Sequence, residues 1–487
     1  MAPSPPPSAI ARPHVAVIGS GLAGLAAAEA LLAGAEPPVV TVIEAADRAG
    51  GVLGTVREGG WLVERSADCF LAARPEGLDL VRRLGLEGEL VGVDPRARRA
   101  LLWHAGRTIP APPGFRLMAP GRIGGILRTP LLSPAGRLRL LAERFIPARR
   151  PASPDEDESL ERFAVRRLGR EAFERLVQPL AAGIWTADPA RLSMAAACPE
   201  FLAMERERGS LWAGERARLA AQAGAPEASG ARYGQFVTLA SGMETLVTRL
   251  VEHLRGRGAR FMRGTVATVA RTPASRWRIA GDGLDDGACD ADAVIVTTPA
   301  QAAAATLRGL DPGLAADLGG IDYAGSCIVS LGFARADVDH PLDAAGLVVP
   351  RIAGRRILAA SFSSTKFPHR APDGSVLMRV FVGGALDPAA MDLDDGALVD
   401  LVRREVADLL GCRGSPRLVR VERWSRAMPQ YHLGHSARVA RIDAAVRRHP
   451  GLAIAGAAYT GVGIPQVIAS GRLAATTCMA TTNARGA

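Results

Sequence analysis

Three glycines near the amino terminus have the spacing of a phosphate-binding turn. Gly19, Gly21 and Gly24 lie between an apolar segment, His14–Ile18, and a helical pattern, Leu25–Ala33. The first glycine permits a tight turn, the second lets the backbone approach a pyrophosphate, and the third lets helix and strand pack closely. The helix amino terminus then offers free N–H groups and a favourable dipole to phosphates. A glycine turn of purely structural use is the alternative.

An acidic residue strengthens the dinucleotide interpretation. Glu44 follows the apolar segment Val39–Ile43, twenty positions after Gly24, where a carboxylate can accept hydrogen bonds from ribose hydroxyls. Strand, turn, helix, strand and acid together predict a βαβ unit that binds a dinucleotide. The neighbouring residues that we expect at the same ligand are Leu22, Ala23 and Ala45.

A second glycine pair indicates which dinucleotide binds. Gly50 and Gly51 follow Glu44 within EAADRAGGVLGTV. A nicotinamide needs no such pair, whereas a flavin ring extends beyond the pyrophosphate and requires further close approach of the backbone, which glycine allows. The pattern therefore favours FAD. Arg48 has two interpretations, a ligand of a phosphate or the adenine-side ribose and a solvated surface arginine. The other residues of this loop that we expect at the cofactor are Val52, Leu53 and Gly54.

A third glycine-bearing loop lies near the carboxyl end. It follows the apolar segment Leu452–Ala455 and precedes a helix expected to begin near Pro465. A helix amino terminus aimed at the pyrimidine end of a flavin would favour the negative charge that reduction places there. An ordinary turn between strand and helix is the alternative. The residues expected at the cofactor are Gly461, Val462, Gly463 and Ile464, with Val266 from the middle of the chain.

Five further blocks resemble the protoporphyrinogen oxidase family, which also contains coproporphyrinogen III oxidases. They occur in the family order and, with the glycine turn, cover most of the chain. The blocks are QPLAAGIWTADPARLSM within Arg175–Met194, SSTKFPHRAPDG at Ser363–Gly374, FVGGA at Phe381–Ala385, PQYHLGH at Pro429–His435, and GAAYTGVGIP with SGRLAA after Ala455. One block departs from the pattern, since Glu64–Phe70 reads ERSADCF where relatives often read ERGPDSF. The departure puts the local turn near the flavin in doubt.

The resemblance implies a chemistry for the chain. It implies an FAD enzyme that removes six electrons from protoporphyrinogen IX, with molecular oxygen as acceptor and hydrogen peroxide as product. A hydride leaves a meso carbon for the flavin, so the protein must hold that carbon close, and no nucleophile is required. Coproporphyrinogen III, a tetracarboxylate, is the alternative substrate within the family. More distant alternatives are another oxidase of the superfamily, acting on amines or carotenoids, and a non-catalytic flavin-binding scaffold.

The resemblance also suggests where such a macrocycle binds, although no catalytic residue is assigned. A large apolar ring with propionates predicts a broad site of aliphatic and aromatic side chains with arginines at its rim. Phe367 is a candidate to stack on a pyrrole ring, with core packing as the alternative. Val348 or Val349 is a candidate to press on another ring. Arg74 is a candidate for a propionate, with a solvated arginine at a helix start as the alternative.

The order of elements predicts an α/β protein with a discontinuous nucleotide domain. We expect a disordered lead-in over residues 1–12, followed by a Rossmann-like FAD-binding domain assembled from residues 13–75, 235–300 and 440–487. A helical domain is expected over 76–232 and a mixed-sheet substrate domain over 301–439. Its predicted elements include strands at Ser326–Phe333, Ile357–Phe362 and Val376–Val382 and a helix at Asp395–Leu410.

Composition narrows the class of partner. The net charge is +10 and Lys366 is the only lysine, so the positive charge is almost entirely arginine. No nucleic-acid motif is present, and six scattered cysteines predict neither a metal site nor disulfides. His432 and His435 are interpreted as hydrogen-bonded structural residues.

The segment Gly121–Arg150 mixes leucines with seven arginines, which is typical of a membrane interface and equally of an ordinary amphipathic helix. We expect a cytoplasmic protein with a peripheral contact on the inner face of the cell membrane. The partners considered besides the porphyrinogen and oxygen are ferrochelatase or another haem-pathway enzyme, and a second copy of the chain.

Overall fold

The structure is a computed structural model that describes residues 12–149, 153, 156–221 and 236–483. The expected lead-in therefore lies, apart from Arg12, outside the described residues. Within these ranges the strands are β1 His14–Ile18, β2 Val39–Glu44, β3 Thr55–Glu58, β4 Trp61–Glu64, β5 Phe70–Leu71, β6 Leu90–Gly92, β7 Ala100–His104, β8 Arg107–Pro110, β9 Phe115–Arg116, β10 Ala119–Pro120, β11 Phe236–Leu239, β12 Arg260–Arg263, β13 Thr265–Arg271, β14 Trp277–Asp282, β15 Ala288–Ala291, β16 Ala293–Val296, β17 Tyr323–Ala334, β18 Gly346–Val348, β19 Ile357–Ser361, β20 Ser375–Gly383, β21 Leu418–Pro429 and β22 Leu452–Ile454.

The α-helices are α1 Leu22–Leu32, α2 Pro75–Arg83, α3 Ile123–Arg128, α4 Pro134–Leu141, α5 Leu160–Leu168, α6 Arg170–Ala172, α7 Gln178–Trp185, α8 Met194–Ala197, α9 Pro199–Arg208, α10 Leu211–Ala221, α11 Glu244–Gly256, α12 Ala300–Leu307, α13 Pro312–Gly319, α14 Ser363–Lys366, α15 Asp395–Leu410, α16 His435–Arg447 and α17 Ile464–Asn483. A π-helical stretch, Phe173–Val177, joins α6 to α7.

A parallel five-stranded sheet forms the centre of the nucleotide-binding part. Its strands lie in the order β12, β2, β1, β16, β22 and all run in the same direction. One face packs on α1, α11 and α17, and the other on α12, α13 and α16. Burial on both faces explains why these strands are apolar runs without alternation. The α/β class expected from the sequence is confirmed, and three distant parts of the chain supply the strands.

A seven-stranded mixed sheet forms the centre of the second part of the molecule. Its order is β21, β17, β20, β19, β18, β7, β8, and its pairs are antiparallel except for β18 with β7. Helix α15 covers one face through Val402 and Val406, which share a core with Val329 and Met378. The opposite face turns towards the helices of the 76–232 range and the carboxyl-terminal loop, which contribute to another core.

The range 76–232, expected to be helical, also contains the strands β6 to β10. Helices α3 to α10 do surround a common core, but β7 and β8 extend the seven-stranded sheet. The short apolar run Ala100–Leu102 is buried, and pairing with β18 on one edge and β8 on the other satisfies its backbone groups. No helix within the described residues has the length and apolarity to cross a membrane.

Candidate flavin and substrate site

The turn after β1 has the geometry that its glycines predict. Gly19 has φ +102°, and a side-chain carbon there would lie 2.8 Å from Thr297 Oγ1, while one at Gly24 would collide with the carbonyl oxygen of Gly19. A carbon at Gly21 would instead meet nothing within 4 Å. Gly21 is also the N-cap of α1 and provides no side-chain acceptor. The amino terminus of α1 therefore has open space in front of it and N–H groups available for an anion.

Glu44 stands at the carboxyl end of β2, beside this turn. Its carboxylate accepts hydrogen bonds from Ser20 N at 2.8 Å, from Ser20 Oγ at 2.6 Å and from Ala46 N at 2.9 Å. The half-buried carboxylate is thus held at the edge where ligands of parallel sheets bind. Gly264 N donates to the Glu44 carbonyl at 2.9 Å, which brings Val266 to the same edge.

The second glycine pair touches the first turn. Gly21 and Gly50 form a parallel bridge, and Gly50 N donates to Ser20 O at 2.8 Å. Arg48 donates to Leu53 O at 2.6 Å and to Gly51 O at 2.7 Å. Its guanidinium therefore braces its own loop, a role that neither sequence interpretation included. In the same loop Leu53 is buried, whereas Ala45 and Val52 are exposed and Gly54 packs on Arg65.

The carboxyl-terminal loop follows β22 at the same edge. Gly461 has φ +143°, and a side-chain carbon there would lie 2.7 Å from Gln466 Cγ. Its N–H donates to the Tyr431 hydroxyl at 2.8 Å. Within the described residues the N–H groups of Val462 and Gly463 have no acceptor, and α17 begins at Ile464. This helix start therefore has N–H groups free for a ligand oxygen.

Two threonines that directly follow β16 complete this edge and are not among the site residues predicted from the sequence. Thr297 Oγ1 lies 2.9 Å from the carbonyls of Ile18 and Gly19. Thr298 Oγ1 is buried without a partner among the described residues. The paired threonines that end the apolar strand AVIV were the available signal. Two open helix starts, a carboxylate and an unpaired hydroxyl at one edge fit the phosphates, ribose and pyrimidine ring of a flavin dinucleotide.

An apolar region lies between α7, the seven-stranded sheet and the carboxyl-terminal loop. Ile184 and Trp185 of α7 and Phe381 of β20 are half-buried and pack with Val348 and Val462 in one cluster. The family blocks that contain α7, FVGGA and PQY meet here, because Ala385 N donates to Thr186 O at 2.8 Å and Gln430 Nε2 to Trp185 O at 3.4 Å.

Gly183 is one of the residues of this region that sequence reasoning missed, together with Trp185 and Phe381. It is exposed on α7, and a side-chain carbon there would lie 3.7 Å from Val348 Cγ1. Glycine inside a helix costs roughly 1 kcal/mol relative to alanine, so its presence indicates a packing or functional reason. The absence of a side chain widens the apolar region at this point.

Two of the pocket candidates do not face this region. Val349 packs on the α15 side of the sheet, opposite to Val348, because successive residues of a strand point to opposite faces. Phe367 is 1% exposed and packs with Val93 and Ala97. Its ring therefore has no free face for a pyrrole, and the core alternative is the one that the structure supports. Arg74 is exposed at the start of α2.

The similarity of the whole sequence to a family of flavoproteins agrees with the flavin site inferred at the sheet edge. A model of the family described as flavin containing amine oxidoreductase matches residues 22–479. The chain belongs to this family. FAD is therefore its cofactor, as the glycine loops predicted. The residues that would hold it are those at the carboxyl edge of the parallel sheet.

Individual relatives place this flavoenzyme further within the family. It is 33% identical to the coproporphyrinogen III oxidase of Bacillus subtilis (strain 168), with 95% of this chain and 97% of the relative covered. It is 30% identical to protoporphyrinogen oxidase 1, chloroplastic, of Arabidopsis thaliana, over 86% and 79% of the two chains. A crystal structure of a protein from Exiguobacterium sp. 255-15 superimposes with a TM-score of 0.82 at 27% identity, covering 97% of this chain and 99% of that one. The flavoenzyme therefore lies in the porphyrinogen oxidase branch of its family.

The segment that departs from the family pattern carries a cluster of charges in this flavoenzyme. Asp68 Oδ2 lies 2.8 Å from Lys366 Nζ and 3.4 Å from Arg379 Nη1. Burial raises the pKa of Asp68, but the two cations outweigh burial and hold that pKa well below its ordinary value. Ser66 Oγ donates to Val52 O at 2.6 Å, and Arg379 donates to Ser66 O. The cluster therefore joins the flavin loop to the seven-stranded sheet without the usual glycine and proline.

Proposed function

We propose that this flavoenzyme oxidises coproporphyrinogen III to coproporphyrin III. The observation that carries the proposal is its similarity, along nearly the whole of both chains, to the Bacillus subtilis enzyme of that name. The apolar region beside the carboxyl-terminal loop is suited to a large apolar macrocycle. The sequence blocks predict protoporphyrinogen IX as the first candidate substrate, and the relatives favour coproporphyrinogen III instead.

Cofactor and protein would have separate roles in the proposed reaction. When bound, FAD supplies the acceptor for a hydride from a meso carbon, and three rounds with reoxidation by oxygen would remove the six electrons that separate porphyrinogen from porphyrin. The protein would hold the macrocycle against Trp185 and Phe381. No nucleophile is needed because the reaction transfers a hydride, and no dedicated base is needed because the pyrrole N–H protons can leave to water.

Arg74 is the proposed contact for a propionate. The start of α2 lies beside the start of α17, since a side-chain carbon at Gly77 would lie 3.4 Å from Pro465 Cγ. An exposed guanidinium at this place could bind a carboxylate in a bidentate manner. The four carboxylates of coproporphyrinogen III offer more such contacts than the two of protoporphyrinogen IX.

Protoporphyrinogen IX is the second candidate substrate, and the Arabidopsis relative favours it. Anaerobic mixing of the purified flavoenzyme with each porphyrinogen tests both candidates. We expect bleaching of the flavin by both, with kcat/KM for coproporphyrinogen III at least about tenfold higher, a transition-state difference of ~1.4 kcal/mol. A preference for protoporphyrinogen IX would reverse the assignment, and bleaching by neither compound would overturn porphyrinogen oxidation altogether.

The same assay with Gly183→Leu tests the location of the substrate. A leucine there would narrow the apolar region, so we expect KM to rise at least about tenfold while bound FAD stays unchanged. Gly256→Leu is the matched control, because Gly256 is exposed at the end of α11 and a carbon there meets nothing within 4 Å. Equal KM values for the two variants would place the substrate elsewhere.

We also propose a peripheral membrane contact through residues 121–149. Here Leu138 and Phe145 are 70% and 71% exposed, and Ile123 and Leu127 are exposed too. Arginines flank these side chains, an arrangement suited to an anionic lipid surface. Sedimentation with anionic and with neutral vesicles would test it, since the contact requires binding to the anionic vesicles alone. Contacts with haem-pathway enzymes or a second copy stay predictions.

A further inference from the structure

The segment 430–435 lies between three parts of the molecule. Gln430 N donates to Asp322 O at 2.9 Å, next to the end of β21, and Ser193 N of the helical part donates to Tyr431 O at 2.8 Å. The backbone of Tyr431 is thus fixed from two sides. Its side chain reaches a third part, the carboxyl-terminal loop that precedes α17.

The Tyr431 hydroxyl closes this loop. It donates to Ala457 O at 2.5 Å and accepts from Gly461 N at 2.8 Å. The side chain is 2% exposed, and burial raises the pKa of Tyr431, so the hydroxyl keeps its proton at neutral pH. One hydroxyl therefore joins two backbone groups that are four residues apart.

His435 supports Tyr431 and holds the same loop. The two rings stack with centroids 4.1 Å apart and planes inclined by 14°. His435 Nε2 lies 3.1 Å from Tyr459 O, and since a carbonyl only accepts, Nε2 carries the hydrogen. Burial lowers the pKa of His435, which favours the neutral ring. Together the two side chains bind the backbone of Ala457, Tyr459 and Gly461.

These contacts decide what the loop offers to a ligand. Because Gly461 N is already bound, the N–H groups of Val462 and Gly463 and the start of α17 are the ones that stay available. We propose that Tyr431 and His435 are positioning residues that increase the preference of the bound flavin for its reduced, negatively charged form. By holding the loop, they keep these donors and the helix dipole in place to stabilise the negative charge of the reduced ring.

Two properties of the bound flavin report this role without any porphyrinogen. Sulfite adds to the flavin to give an anionic adduct with bleached absorbance, and the midpoint potential measures the preference for the reduced form. Tyr431→Phe keeps the ring and removes the two hydrogen bonds of the hydroxyl to the loop backbone. We expect FAD to remain bound, sulfite affinity to fall about tenfold, and the two-electron potential to fall by the equivalent ~30 mV.

Tyr459→Phe is the matched control on the same loop. The Tyr459 hydroxyl is buried and has no hydrogen-bond partner among the described residues, so its removal should leave sulfite affinity and potential at the parent values. His435→Phe keeps a ring for stacking and removes the donor to Tyr459 O, and we expect a change in the same direction as for Tyr431→Phe.

The outcomes separate a positioning role from a structural one. Parent-like sulfite affinity and potential in a folded, flavin-loaded Tyr431→Phe would overturn the inference. Should Tyr431→Phe fail to retain FAD, His435→Phe decides by the same two measurements, and parent-like values there would overturn it as well. The inference depends on flavin binding alone, so a failure of the proposed substrate would leave these tests unchanged.

Discussion

Among single residues, Asp68 shows how a departure from a family pattern can be compensated. Its carboxylate is shared by Lys366 and Arg379, both of which lie far from Asp68 in the sequence. All three side chains are largely buried, with exposed fractions of 14%, 7% and 2%. Removal of one member of such a cluster leaves buried charge without a partner, which costs several kcal/mol.

Asp68→Asn should therefore destabilise the protein by about 3 kcal/mol at neutral pH. The folded-state pKa of Asp68 is depressed, so its contribution is present above the ordinary carboxyl value of ~4 and is lost as pH falls through the folded value. Urea unfolding of parent and variant should give a constant difference down to pH ~5 and a narrowing one below ~4.

Asp79→Asn is the control for this charge change. Asp79 forms an exposed pair with Arg82, and such pairs contribute less than about 1 kcal/mol. If Asp68→Asn lowered the free energy of unfolding as little as Asp79→Asn does, the buried cluster would not be stabilising.

At the level of elements, the packing of α1 on α17 sets the distance between the two helix starts. A side-chain carbon at Gly471 would collide with the carbonyl oxygen of Ala23. The obstacle is backbone and cannot rotate away, in contrast to a flexible side chain. Both helices begin at the carboxyl edge of the parallel sheet, so their separation decides whether their N–H groups can reach one cofactor.

Gly471→Ala should separate the two helices and weaken FAD binding at least about tenfold, a loss of ~1.4 kcal/mol. The ratio of flavin to protein absorbance after purification, followed by titration with FAD, would measure it. Gly34→Ala, where the added carbon meets nothing within 4 Å, should bind FAD as the parent does. Undiminished FAD affinity in Gly471→Ala would contradict the close packing of these helices.

For the whole molecule, three distant parts of the chain supply one cofactor site, so FAD should stabilise the entire fold. A ligand that binds only the folded state adds about 2.7 kcal/mol at one hundred times its Kd. Gly21→Ala should keep the parent melting temperature without FAD, because the added carbon meets nothing within 4 Å, yet lose most of the rise that FAD produces.

Thermal melts with increasing FAD would measure this effect. Gly309→Ala, another position where an added carbon meets nothing within 4 Å, should retain the full rise. A full rise in Gly21→Ala would mean that the cofactor does not approach this turn.

Local patterns carried much of the fold and of the cofactor site. The strand His14–Ile18 and the helix Asp395–Leu410 have the bounds expected from the sequence. Such elements follow from apolar runs and turn residues that act within a few positions. Two of the predicted pocket residues, Val349 and Phe367, pack in hydrophobic cores instead. Which face of a strand meets the substrate depends on the elements packed against it, and no local pattern contains that information.

The sequence by itself therefore determined the α/β class, the FAD cofactor and the glycine turns, because a turn depends on backbone freedom at a few neighbouring residues. Only the tertiary structure decided that Tyr431 holds Gly461 and that Lys366 neutralises Asp68. The second pair is separated by 298 residues. Contacts of that kind form only after the sheets have packed, because a buried charge or hydroxyl is destabilising unless it has a partner.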